Sequence, residues 1–290
     1  EDPGRYAAVV FFTYLYAHTH DAMPLVADRA LLVPELHEDP PLGLSIYDPV
    51  FAAPRRIVFN TQEERELARR RFGVEDARAE VVGLGVDPPP PDADPERFRL
   101  ARGLVRPYAL CLGRIDPSKG SAELIAHHEA YRATTPGGLD LVMLGRAVMP
   151  LPERPWLHAP GFVDEREKHD ALAGASVVVL PSPYESLSIA MLEAWSHGVP
   201  TLANGASPVL VGQSRRSGGG IWYSDAAEYA LGMRLLADNR PLAVALGHQG
   251  RRHVRERLGW PRIRAAWLEV LAEASPDRAT PGPPGSTARA

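Results

Sequence analysis

Apolar runs of strand length alternate along the chain with longer stretches whose apolar residues recur at helical spacing. That alternation predicts an α/β protein, with parallel sheets covered by helices. In the first part the predicted strands are residues 7–13, 30–36, 55–60 and 79–85. Thr61 stands where a helix cap belongs, and Glu64 three residues on completes a capping box for the helix 61–72. The run VDPPPPDADP, from Val86 to Pro95, removes backbone donors and favours extended chain, so it reads as a stiff linker. Beyond it the pattern restarts with predicted strands at 108–113, 156–163, 176–181, 199–204 and 220–223, and with the run LDLVMLG that ends at Gly145. Helical segments separate most of these, and two or three more helices follow from Ala226 to about Ala274. The expected organisation is a partial Rossmann-like domain over 1–87, a proline-rich linker over 88–104 and a doubly wound domain with terminal helices over 105–274. The tail 275–290 is rich in proline, glycine and small polar residues and is expected to be disordered.

Composition narrows the function. With 290 residues, 45% hydrophobic and 23% charged, the chain is long enough for two ordinary cores. A net charge of −4 offers no basic footprint, which argues against nucleic acid as a partner. The single cysteine, Cys111, lies in an apolar strand and has no disulfide partner; without a C-x-x-C or a His-rich tract, no metal is expected. No run approaches the roughly 20 apolar residues that span a bilayer, and the start does not resemble a signal peptide, so a cytoplasmic location is expected. The chain opens on Glu1 and passes almost at once into a buried-type strand, which reads as a fragment whose beginning lies elsewhere. The basic residues are nearly all arginine; only Lys119 and Lys168 are lysine.

Two stretches carry candidate chemistry. In LCLGRIDPSKG, residues 110–120, an apolar strand stops at Gly113, Arg114 follows, and Lys119 sits where the next helix starts. Strand ends that lead into helix N-termini are where parallel sheets bind ligands, and the helix dipole there favours an anion. In PYESLSIAMLEAW, Glu185 follows a strand and Glu193 lies eight residues on, inside the predicted helix. Two cations and two carboxylates are what would hold a diphosphate and the hydroxyls of a sugar and a ribose. Taken singly, each position also fits a solvated loop or helix side chain; their conjunction in one domain favours a site. His37, at the end of the strand 30–36, could bond or shuttle a proton to a reacting sugar, although a lone histidine is more often structural. Gly83 and Gly85 lack the third glycine of a dinucleotide loop and read as a hinge. Asp92 and Asp94 lie in the proline run and read as chance, and the glycines before the strand 220–223 as a turn.

On these residues the chain resembles the retaining glycosyltransferases of family 4, the group 1 transferases with the GT-B fold. Arg114 and Lys119 in GRIDPSKG match the family's phosphate-binding pair, and PYESLSIAMLEAW its E-x7-E element. The resemblance implies two Rossmann-like doubly wound domains, with the N-terminal, acceptor-side one incomplete. It also implies a donor-sugar contact at Glu185, a ribose contact at Glu193, a base pocket lined by the backbone of Phe162 and Val163, and an active-site histidine at His37. Ser186 and Ser188, around Leu187, stand where most relatives carry glycines beside the donor, a departure that bears on sugar preference. The function implied is transfer of a hexose from a nucleotide diphosphate sugar, with retention and without a cofactor. The implied acceptor is a carbohydrate or a lipid-linked precursor, with peripheral contact at the inner membrane face through the missing N-terminal region. A nucleotide-sugar epimerase or hydrolase on the same fold, and a non-catalytic nucleotide-sugar-binding protein, remain the alternatives.

Overall fold

A computed structural model describes residues 6–274 and resolves two compact units. The predicted tail 275–290 lies outside the described residues.

Among the described residues, the first unit takes 6–36, Pro40–Val82 and 264–274. It contains β1 (Val9–Phe12), α1 (Ala17–Ala22), β2 (Ala30–Val33), α2 (Asp48–Ala52), β3 (Arg56–Phe59), α3 (Gln62–Phe72) and β4 (Ala79–Val81). Its strands form one parallel sheet in the order β1-β2-β3-β4. Every residue of β2 is buried, as expected of a strand covered on both faces. The capping box forms: the Thr61 hydroxyl accepts the Glu64 N–H at 3.2 Å. The Glu64 carboxylate also reaches beyond the cap and accepts the Asn60 N–H at 2.6 Å and the Leu36 N–H at 2.7 Å. Burial pushes the Glu64 carboxyl up to about 8, against the backbone donors of Leu36 and Asn60, which favour the charged form. Glu64 thereby pins the backbone next to His37, just after Glu35, a non-glycine residue at φ 53.

The second unit takes His37–Asp39 and Gly83–Ile263. It contains α4 (Pro95–Arg102), β5 (Tyr108–Leu112), α5 (Ser121–Thr134), β6 (Asp140–Leu144), β7 (Leu157–Gly161), α6 (Glu165–Gly174), β8 (Val177–Leu180), α7 (Ile189–Ser196), β9 (Thr201–Asn204), α8 (Pro208–Ser217), β10 (Gly220–Tyr223), α9 (Ala226–Asp238) and α10 (Arg240–Arg257). A last helix, α11 (Trp260–Ala274), starts in this unit and ends in the first. The six strands are parallel in the order β10-β9-β8-β5-β6-β7. This is the doubly wound arrangement, with its switch point between β5 and β8. Alternate residues of β5 feed opposite faces: Tyr108 and Leu110 join one core cluster, Ala109 and Cys111 the other. Burial pushes the Cys111 thiol up to about 12, so it acts as a small apolar side chain.

Three expectations need correction. The span 88–104 is not linker throughout: Asp94 caps α4, Pro95 takes its first turn, and Gly103 ends it at φ 62. Arg97 ties α4 to Asp170 of α6 at 2.5 Å, so this helix is part of the second unit. The strand predicted over 79–85 stops at Val81, and the backbone of Val86 bridges to Gly259 instead. A side chain at Gly85 would run into the Trp260 indole. Finally, the terminal helices are not all in one domain, because residues 264–274 belong to the first unit. There Arg56 pairs with Glu273 at 2.6 Å.

Candidate active site

The carboxyl ends of β5, β6 and β7 are laced together by backbone. Gly113 N–H donates to Leu144 C=O at 3.0 Å, and Gly145 N–H to Gly161 C=O at 2.9 Å. Gly145, at φ 146, could not carry a side chain, because a Cβ would run into the Gly113 carbonyl. Above this floor lies a cleft of about 420 Å3. Arg114 borders it from β5, Arg146 from β6, and Phe162 and Val163 from the turn after β7. Two helices complete it with residues three apart, which share a helix face: Glu165 and Lys168 of α6, and Ala190 and Glu193 of α7. The opposite face of α7 is anchored by Met191, Leu192 and Trp195, all fully buried, which fixes where Glu193 points.

Inside the cleft, Lys168 Nζ donates to Glu193 at 2.7 Å and to Glu165 at 2.8 Å. Burial works against the ammonium, but the two carboxylates hold its pKa above the usual lysine value. Next to it, His169 Nδ1 lies 2.9 Å from His197 Nε2, in a stacked pair that again ties α6 to the end of α7. Burial, with His169, Arg251 and Lys168 nearby, lowers the His197 pKa to about 4.

The switch point carries a second ion pair. Lys119 ends a single 3-10 turn, Pro117–Lys119, and its Nζ donates to Glu185 at 3.1 Å, joining the loop after β5 to the loop after β8. Gly120 follows at φ 74, pressed so closely on Pro181 that a Cβ would meet its carbonyl oxygen. In the same loop Arg114 pairs with Asp116 at 2.9 Å. Hydrogen bonds from Ser118, and then the charges of Arg114 and Lys119, hold the Asp116 carboxyl below its usual range. His37 stacks toward Tyr184, the neighbour of Glu185, with ring centroids 6.2 Å apart, and its Nε2 lies 3.4 Å from Asp39.

The structure thus gathers Arg114, Phe162, Val163 and Glu193 around one cleft, and places Lys119, Glu185 and His37 in a neighbouring group at β8. Ser186, Leu187 and Ser188 do not line the cleft. Leu187 packs on the core, and the Ser188 hydroxyl caps α7 by accepting the Met191 N–H. Asp94, half of the D-x-D pattern, likewise serves as a helix cap. Sequence reasoning passed over Lys168, whose signal was its rarity combined with its i,i+3 spacing from Glu165 on the helix after Val163. Among the described residues no cluster of histidine, cysteine and carboxylate side chains could hold a metal ion, and no helix is long and apolar enough to cross a membrane.

The D-inositol 3-phosphate glycosyltransferase of Xylanimonas cellulosilytica is 31% identical over 90% of this chain and 67% of its own length. The enzyme of the same name from Streptomyces bingchenggensis is 30% identical over 78% of this chain and 54% of its own. The chain therefore spans between half and two thirds of the length of these relatives. Among solved structures, Anabaena HepE in complex with UDP and glucose superposes with a TM-score of 0.75 at 15% identity, over 91% of this chain and 78% of that one. Sucrose-phosphate synthase from Thermosynechococcus elongatus gives 0.73 at 18%, over 93% and 74%. These structures share the GT-B fold. The family model described as glycosyl transferases group 1 matches residues 106–239, the stretch that builds the cleft, and with the Xylanimonas relative it places this chain in the group 1 glycosyltransferase family.

Proposed function

We propose that the protein transfers a hexose from a nucleotide diphosphate sugar to a carbohydrate or lipid-linked acceptor, with retention at the anomeric carbon. The observation that carries this reading is the Lys119–Glu185 pair at the switch point, next to a cleft bordered by Arg114 and Glu193. The base lies against Phe162 and Val163, and Glu193, held by Lys168, takes the ribose hydroxyls. The diphosphate lies between Arg114 and Lys119, whose charges offset the negative charge that develops as the sugar–phosphate bond breaks. The Lys119 ammonium is 41% exposed and has this one carboxylate partner, so it is open to exchange Glu185 for a diphosphate. Glu185 is then available to accept hydroxyls of the transferred sugar, and His37 supports the same face. The acceptor hydroxyl attacks from the side the phosphate leaves, and the leaving phosphate oxygen takes its proton. The complex of HepE with UDP and glucose, on the same fold, supports a donor of this class.

The test is product analysis by NMR with a panel of nucleotide sugars, with and without acceptor sugars. Transfer with the donor's anomeric configuration, and a donor that stays intact when no acceptor is present, is the expected result. Rapid donor loss without acceptor would indicate a hydrolase or epimerase instead, and an inverted product would overturn the proposed stereochemistry.

A further inference from the structure

Of the cations around the site, three are committed to carboxylates: Arg114 to Asp116, Lys119 to Glu185, and Lys168 to Glu165 and Glu193. Arg146 is not. It follows β6, borders the cleft, is exposed, and pairs with no carboxylate among the described residues. Glu165 borders the same cleft from the first turn of α6. Lys168 holds one of its oxygens, while its side chain is 81% exposed and its other oxygen has no partner among the described residues. Phe162, 86% exposed, borders the cleft from the turn after β7, the strand that pairs with β6, and offers a ring face. The cleft lining therefore includes a guanidinium without a carboxylate partner, which only donates, a carboxylate, which only accepts, and an aromatic surface.

We propose that Arg146 and Glu165 read the base of the donor nucleotide, and that the base is guanine. The inference rests on the cleft being the nucleoside site of the proposed function. Guanine displays two adjacent acceptors, O6 and N7, which match the fork of an arginine. It also displays two adjacent donors, N1–H and the 2-amino group, which match the two oxygens of a carboxylate. Uracil offers a single N–H flanked by two carbonyl oxygens, so a carboxylate facing it meets like partial charges. Adenine turns an amino group toward the guanidinium, donor against donor. Cytosine satisfies both groups only in part, with a smaller ring.

Calorimetric titration of the whole chain with GDP, UDP, CDP and ADP tests this. GDP should bind about tenfold tighter than each of the others, the discrimination typical of one good bidentate base contact. Arg146→Ala and Arg146→Lys should each weaken GDP about tenfold and leave UDP within twofold, because lysine keeps the charge but not the fork. Inosine diphosphate, which lacks the 2-amino group, should bind less tightly than GDP to the native chain and equally to Glu165→Ala. Unchanged melting temperatures in these surface variants would confirm that the fold is intact. UDP, CDP or ADP binding as tightly as GDP, or variants that leave GDP affinity unaltered, would overturn the base assignment alone. Failure of all four nucleotides to bind would remove the proposed function together with it.

Discussion

The second unit holds two lysine–carboxylate pairs of the same chemistry and different construction. Lys168 and Glu193 are only 20% and 19% exposed, sit on two helices, and are backed by Glu165 and by the neighbouring His169–His197 pair. Glu185 is as buried as Glu193, at 17% exposed, but its partner Lys119 is 41% exposed, ends a single turn of 3-10 helix and reaches it from a loop. The first pair is built into the packing of α6 on α7, and its hydrogen bonds are charge-assisted and partly shielded from water. In the second the ammonium is open to solvent and held by a single carboxylate, so this pair contributes less to stability. The difference teaches which charges hold the site's shape and which are available to a ligand.

The comparison can be broken by substitution, and the largest effect is expected at the looser pair. Lys119→Ala should lower kcat/KM for transfer by about a hundredfold or more, the usual consequence of losing a group that stabilises developing charge, while melting stays near the native temperature. A drop in melting temperature as large as that of a Lys168 variant would erase the distinction. Glu193→Ala should weaken donor binding about tenfold, from loss of charge-assisted bonds to the ribose, with a smaller change in kcat at saturating donor. Equal donor affinity by calorimetry would remove Glu193 from the ribose. Lys168→Met should cost about 1 kcal/mol in urea unfolding, because it leaves the largely buried Glu193 carboxylate without its cation. Stability unchanged from the native chain would show that the pair is not part of the packing.

The smallest effect concerns acid. His197 has its folded pKa lowered to about 4, mainly by burial. A base lowered in this way contributes stability that is fully present above its unfolded value near 6.5 and is lost as pH falls from there through about 4. Thermal melts between pH 7 and 4.5 should therefore fall with acid, and His197→Gln should reduce the slope. An identical slope in the variant would assign the acid sensitivity elsewhere.

Much of this was legible in the residues, for a physical reason. A strand buried on both faces must be apolar throughout, so the runs around Leu31, Ile57, Leu110 and Val178 announce themselves, and each is a strand of a parallel sheet. Arg114, Phe162, Val163 and Glu193 border the cleft because strand ends and one face of a helix put them there. The helix α4 was hidden by its surroundings: the prolines before it drew the reading toward extended chain, while Asp94, Pro95 and Gly103 spelled a cap, a first turn and a stop. Ser188 shows why single residues are ambiguous: a serine before a helix serves equally as a cap or as a ligand contact, and its hydroxyl here accepts the Met191 N–H. Arg146 and Glu165 were singled out by no motif; they border one cleft because the turn after β6 and the first turn of α6 both reach it.

The first unit is split in the sequence, with β4 ending at Val81 and its last helical residues arriving only from Arg264. A ribosome releases the chain from its amino end, so the whole of the intervening unit emerges before Glu273 can reach Arg56. The first unit thus receives its closing contacts last, after the whole of the unit inserted within it has emerged.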